Sequence, residues 1–226
     1  ASRTDRRRAR QPPGVRVGLI ADVHANLPAL EAVWADMPAV DSVVCAGDVV
    51  GYNPWPAACL EWVRENDVPT VMGNHDRAVA GGGGFAFNSQ AGAGVEYART
   101  HLDEDDLAWL ETLPDERSYP ADSQGDSRLK IVHGHPDNPD RYTFPQEFTP
   151  ELLGDEDVLV LGHTHVQHHE IFDAGIVVNP GSVGQPRDGD PRAAYALLDT
   201  AEGTVKERRV EYDIDRVISA VEATGL

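Results

Sequence analysis

The chain has 226 residues, enough to bury a sizeable core, with an apolar content of 41% that is ordinary for a globular fold. No apolar run is long enough to span a membrane. A formal net charge of −19 sets the surface against nucleic acid and anionic membranes at low salt. Lys130 and Lys206 are the only lysines, so arginine carries nearly all the positive charge. Such an acidic surface points to a high-salt cytoplasm, where screening suppresses self-repulsion; the plainer alternative is a well-solvated acidic surface.

Residues 1–14 carry Arg6, Arg7, Arg8 and Arg10, but Pro12-Pro13-Gly14 stands where a signal peptide needs its apolar stretch. They read as a flexible basic tail, residues 15–226 as a single domain, and the expected location is cytoplasmic. Val15 to Ile20 is a β-branched apolar run that predicts a buried strand ending at Asp22. Asn26 caps a helix running to about Asp36. Ser42 to Ala46 predicts a second strand, closed by Gly47-Asp48, and Cys45 within it reads as a buried structural thiol. A helix is expected from Ala57 to Asn66, and a third strand from Pro69 to Met72. This alternation argues for an α/β sheet with parallel strands, whose ligands gather at the carboxyl ends. Asp22, Asp48 and Asn74 all fall at such ends.

Gly81 to Gly84 reads as a loop, either a lid or a plain linker, and the stretch to Asn88 is a candidate for substrate contact. Helices are expected over Ser89 to His101 and Glu104 to Leu113, and a polar turn over Asp122 to Ser127. Beyond Leu129 the pattern becomes short strands: Leu129 to Val132, Val158 to Leu161, Gln167 to Phe172, Ile176 to Val178, Ala193 to Leu198 and Val205 to Tyr212. Pro145 to Leu153 and Ile214 to Ala223 are the candidate helices. This half reads as more antiparallel, so two packed sheets with helices outside is the economical assembly.

The chemistry sits where the apolar runs end. Asp22-Val23-His24, Gly47-Asp48, Gly73-Asn74-His75-Asp76, His133-Gly134-His135 and Gly162-His163-Thr164-His165 together offer ligands for two metal ions. Mixed oxygen and nitrogen donors without thiolate suit Mn, Fe, Zn, Ni or Co, with Mn favoured, better than Ca or Mg. Singly, D-x-H or G-D means little; the ordered set of motifs is hard to obtain by chance.

That order, together with GDVVGYNP (47–54), NHDR (74–77) and NPGSVGQPRDGDPR (179–192), resembles the calcineurin-like metallophosphoesterase superfamily, in its small single-domain prokaryotic branch. The resemblance runs from about Val15 to Asp199. It implies a four-layer αββα sandwich around two mixed β-sheets. One metal would be held by Asp22, His24 and His165, the other by Asn74, His133 and His163, with Asp48 bridging. Two cations about 4 Å apart share a water and lower its pKa, and in-line attack of that hydroxide opens the phosphoester. His75 would be the general acid and Asp76 would orient its ring. Asn179 would brace the metal shell and Ser182 cap a turn.

The expected partner is a small phosphorylated substrate, a phosphodiester before a phosphomonoester or a nucleoside polyphosphate. Tyr52, Asn53, His135 and Arg187 are candidate contacts; His135 departs from the small residue common at that place in similar sequences. Structured nucleic acid is not an expected partner, and a homodimer follows from similarity alone. Two other readings fit parts of the pattern. His133 to Asn138 faintly resembles the metallo-β-lactamase-like H-x-H-x-D-H run, but that family leaves Asp48 and Asn74 unexplained. A non-enzymatic scaffold on the same fold, like the retromer scaffold subunit, would show a lost ligand, and none is lost.

Thermal unfolding is expected to have a higher midpoint in molar KCl than in dilute buffer. Full stability in dilute buffer would count against a high-salt setting.

Overall fold

A computed structural model of the chain describes residues 14–81, 87–120 and 127–226. Most of the N-terminal tail, Gly82 to Gly84 of the expected loop and nearly all of the expected turn at 122–127 lie outside these residues. The described elements, in order, are β1 (Arg16–Ile20), α1 (Leu27–Asp36), β2 (Ser42–Cys45), α2 (Pro56–Glu65), α3 (Asn74–Ala80), α4 (Ser89–His101) and α5 (Glu104–Glu111). The second half holds β3 (Glu116–Pro120), β4 (Arg128–Val132), β5 (Val158–Val160), β6 (His168–Phe172), β7 (Gly175–Asn179), β8 (Ala193–Asp199), β9 (Thr204–Val210) and α6 (Ile214–Thr224).

The strands form two mixed sheets, ordered β2-β1-β8-β9 and β3-β4-β5-β7-β6. In the first, β1 runs parallel to β2 and antiparallel to β8. In the second, β4, β5 and β7 are parallel and the edges β3 and β6 antiparallel. The second half is therefore less antiparallel than expected. Its loops are long enough to carry the chain back between β4, β5 and β7 without an α-helix.

Period-two alternation explains the layers. Val17 and Leu19 of β1, Ile131 of β4, Val160 of β5, Val178 of β7 and Ala196 of β8 meet between the sheets. Ile20 and Tyr195 point the other way, under α1 and α2, with Leu30, Leu60 and Val63. Leu159 and Val177 face outward from the second sheet and are covered by Phe148 and Leu153. The assembly is an α/β four-layer sandwich in which the layer over the second sheet is made of two short 3-10 turns. The expected helix over Pro145 to Leu153 is split into Pro145–Glu147 and Pro150–Leu153, because Pro150 brings no N–H and disfavours helical backbone before it.

Two more expectations change. Pro69 to Met72 makes only a single bridge, Cys45 to Thr70, since Pro69 has no donor and the Met72 N–H turns to the Pro114 carbonyl. Behind Gly73, a short helix that was not expected from the sequence, α3, begins at Asn74. The edge strand β3, half-exposed along its length, lacks the apolar run by which a strand is recognised. The carboxyl ends of β1, β2, β4 and β5 come together on one rim, which is where the polar motifs gather.

Candidate metal centre

Three of the five motifs leave their strands, β1, β2 and β5, through tight turns. Asp22, His24, Asp48, His163 and His165 have φ of +52°, +49°, +54°, +67° and +58°, in the left-handed region. Asp and His tolerate that region better than most residues, yet each such position costs of order 1–3 kcal/mol. Holding them there turns the side chains inward, and all of them are buried, with Asn74, His75, Asp76 and His133.

The donor atoms converge in three overlapping groups: Asp22, His24 and His165; His24, Asp48 and His75; Asp48, His133 and His163. Asp48 Oδ2 lies 3.3 Å from His133 Nε2 and 3.7 Å from His24 Nε2, so one carboxylate oxygen faces both sides. Asp48 Oδ1 is held by the His75 N–H at 2.8 Å. On one side, His165 Nε2 is 3.4 Å from Asp22 Oδ1 and 3.0 Å from His24 Nε2. On the other, His133 Nε2 is 3.1 Å from Asn74 Oδ1.

Backbone carbonyls set the tautomers. Nδ1–H donates to Val50 O in His24, to Ala46 O in His133 and to Gln185 O in His165, at 3.2, 2.7 and 2.6 Å; Nε2–H of His163 donates to Asp140 O at 3.2 Å. A carbonyl only accepts, so in the neutral rings of His24, His163 and His165 the opposite nitrogen carries a lone pair into the site. The lone pairs of His24 and His165 therefore face each other. A proton or a cation must stand between them, and burial opposes the proton. It pulls His163 and His165 down to about 3 and His24 well below the ordinary histidine range. Burial likewise pushes Asp22 up to about 8. It would lower His133 and raise Asp48 too, but their mutual attraction prevails: His133 sits at about 10 and Asp48 well below the usual carboxylate range. Carboxylates and neutral imidazoles packed this tightly fit divalent cations.

Asp76 has a different task from the expected one. Its carboxylate accepts from the N–H groups of Asp48, Val49, Val50 and Gly73, at 2.7, 2.9, 3.2 and 3.0 Å, and both oxygens are spent there. The His75 ring is oriented instead by Tyr52, His24 and Phe87, with centroids 4.7, 4.8 and 4.8 Å away. Its Nδ1 is buried without a hydrogen-bond partner, against Gly51.

A cleft of about 310 Å³ opens over the centre, lined by Asp48, Asn74, His75, His163 and His165 together with Tyr52, Phe87, Tyr142, Gln185 and Arg187. Tyr52 and Arg187 thus reach it, and Arg187 donates to Tyr52 Oη at 3.1 Å. Asn53 does not: its Nδ2 donates to the His24 carbonyl at 2.9 Å, behind the site. His135 lies in another hollow with Arg128 and Lys130, its Nδ1 accepting from the Asp137 N–H. Asn179 Nδ2 donates to Gly162 O, and Ser182 Oγ donates to Asp22 O, bracing the two strand ends. Sequence reading missed Tyr142, which stacks on His163 across 3.9 Å; a lone aromatic in a loop gives no local signal.

The profile of the calcineurin-like phosphoesterase superfamily domain matches residues 15–203. An uncharacterized protein of Methanocaldococcus jannaschii is 30% identical over 91% of this chain and 91% of its own length. Phosphodiesterase YfcE of Escherichia coli is 30% identical over 79% of this chain and 84% of its own. Among solved structures, a metallophosphoesterase from Sphaerobacter thermophilus is 33% identical, with a TM-score of 0.77 over 94% of this chain and 95% of that one.

Gly73 approaches Asp48 so closely that a Cβ there would lie 2.0 Å from Oδ1 and 2.3 Å from the backbone nitrogen. Gly73→Ala is expected to cost about 1–3 kcal/mol, read as a lower unfolding midpoint with chelator present. An unchanged midpoint would mean that the Asp48 turn yields freely.

Proposed function

This chain belongs to the calcineurin-like phosphoesterase superfamily, and on that premise we propose that it hydrolyses phosphodiesters with two divalent metal ions. The observation that carries the reading is the shared position of Asp48, one carboxylate oxygen between the group of Asp22, His24 and His165 and the group of Asn74, His133 and His163. Those residues would hold the two ions, with Asp48 between them. Transition metals, manganese first, suit the donor set. When bound, such a pair neutralises phosphate charge and makes water acidic enough to attack near neutral pH.

The chain's own residues supply the rest. Arg187 places a fixed positive charge on the cleft wall, offsetting the acidic surface where a phosphate approaches. His75, clamped between aromatic rings, faces the cleft and donates a proton to the departing oxygen. Burial lowers its pKa, so the protonated form is present below that lowered value and is lost as pH rises through it. The alkaline limb of turnover should therefore fall earlier than an ordinary histidine would give. Support for diesters over monoesters comes from the phosphodiesterase relative. A high-salt cytoplasm is part of the same reading, resting on the net charge of −19 and on two buried, unpaired thiols. Among the described residues no helix is long and apolar enough to cross a membrane.

Metal-stripped protein restored with Mn, Ni, Co, Zn or Mg is expected to cleave bis-p-nitrophenyl phosphate in preference to p-nitrophenyl phosphate. Monoester preference would make it a phosphatase, and silence with folded, metal-loaded protein would favour a scaffold.

His75→Ala should keep its metal content and lose about 10²–10⁴-fold in turnover on alkyl esters, with a smaller loss on p-nitrophenyl esters, whose leaving group needs no proton. Asp48→Asn should lose metal occupancy itself. Metal analysis beside kinetics separates the two, and full activity in the His75 variant would remove it as the acid.

A further inference from the structure

We propose that Tyr142 and Phe144 form a stacking shelf that selects a substrate carrying a nucleobase, so that the favoured diester is a small nucleoside phosphate. This rests on the phosphoesterase reading and names its substrate class. The two rings belong to none of the three apolar clusters of the fold, and each is 45% exposed. Open aromatic rings contribute little to folding, which leaves these two free to meet a ligand.

Their geometry supplies one. Tyr142 lies nearly parallel to His163, at 13° and 3.9 Å, and Phe144 continues the same orientation, at 16° and 5.8 Å from Tyr142. The stack therefore starts on a candidate metal ligand, passes through Tyr142 on the cleft lining and continues to Phe144 beyond that lining. Because Tyr142 is braced by His163, a base settling there meets a surface already ordered. Arg187 stands with Tyr52 in the same cleft, placing a phosphate contact within one small hollow of the shelf. Gln90, also on the cleft, adds amide donors and acceptors of the kind that read the edge of a base. Stacking accepts any base, because every base offers a π-face. The charge of −19 opposes a long polyanion, which leaves substrates of one or two nucleotides.

The test compares kcat/KM for thymidine 5′-(p-nitrophenyl phosphate) and methyl p-nitrophenyl phosphate, which share a leaving group and differ in the nucleoside, sugar and base together. Wild type is expected to favour the nucleoside ester about tenfold, the modest end of what stacking on an aromatic gives. Tyr142→Leu should bring the ratio close to one, and Tyr142→Trp should preserve it. A second measurement needs no turnover: calorimetric binding of adenosine 5′-monophosphate against ribose 5-phosphate, in wild type and Tyr142→Leu. Equal ratios in wild type and Tyr142→Leu, or equal binding of the two ligands by wild type, would overturn the shelf. If neither ester is cleaved with any metal, the phosphoesterase reading fails, and the binding comparison still decides the shelf.

Discussion

The Asp76 carboxylate, gathering the amides of Asp48, Val49, Val50 and Gly73, is the constraint on which the site depends. It ties the loop after β2 to the first turn of α3, together with the bond from the His75 N–H to Asp48 Oδ1. Asp48 is placed between the two donor groups only while that loop holds its left-handed turn. Those amides would otherwise be buried donors without acceptors, which costs about 1–3 kcal/mol each. Burial and the neighbouring Asp48 charge push Asp76 up to about 7, so the amide bonds stabilise its charged form against a strong opposing tendency. The absent side chain at Gly73 is the steric counterpart of the same arrangement, since its Cα lies against Asp48.

The strain of the left-handed residues follows from what the rim must do. Parallel strands deliver chain ends to one edge, but their side chains alternate between sheet faces and do not converge by themselves. A sharp turn after β1, β2 and β5 redirects the next carboxylate or imidazole toward a common point. The interior of the sandwich keeps these turns in place. Ala21 and Ala46 pack between the sheets next to Asp22 and Asp48, and the Ala46 carbonyl both accepts from His133 and belongs to the strand end that positions Asp48. Stability of the layers is thereby converted into accuracy at the centre.

Electrostatics explains why the centre cannot rest on its own groups. Asp22, Asp48 and Asp76 lie buried close together, and the nearby imidazoles show one another lone pairs. His133 alone is held positive, so ionising all three carboxylates would leave excess negative charge among buried groups, and burial holds Asp22 and Asp76 up against it. The same excess that would repel a phosphate suits small divalent cations, whereas surface ion pairs such as Arg208 with Asp36 and Lys130 with Glu116 are open to solvent and hold little.

Much of this was legible in the chain. The apolar runs of β1, β2, β4 and β5 and the polar residue closing each one are local features, and local features carry into the fold because burial enforces them. Asn26 as a helix cap and the α4 and α6 helices were visible for the same reason. What tertiary structure decided were contacts between distant segments. Asp76 stands beside His75 in the chain, yet the loop at Asp48 to Val50 takes its oxygens, and the His75 ring is left to Tyr52 and Phe87. Asn53 turns behind His24 although its neighbour Tyr52 lines the cleft, and His135 falls into another hollow although it stands two residues from His133. Tyr142 reaches His163 from a loop with no motif of its own. Residue type and spacing state which groups can bind a metal; the direction of each side chain depends on backbone turns and neighbours that only the packed sheets supply.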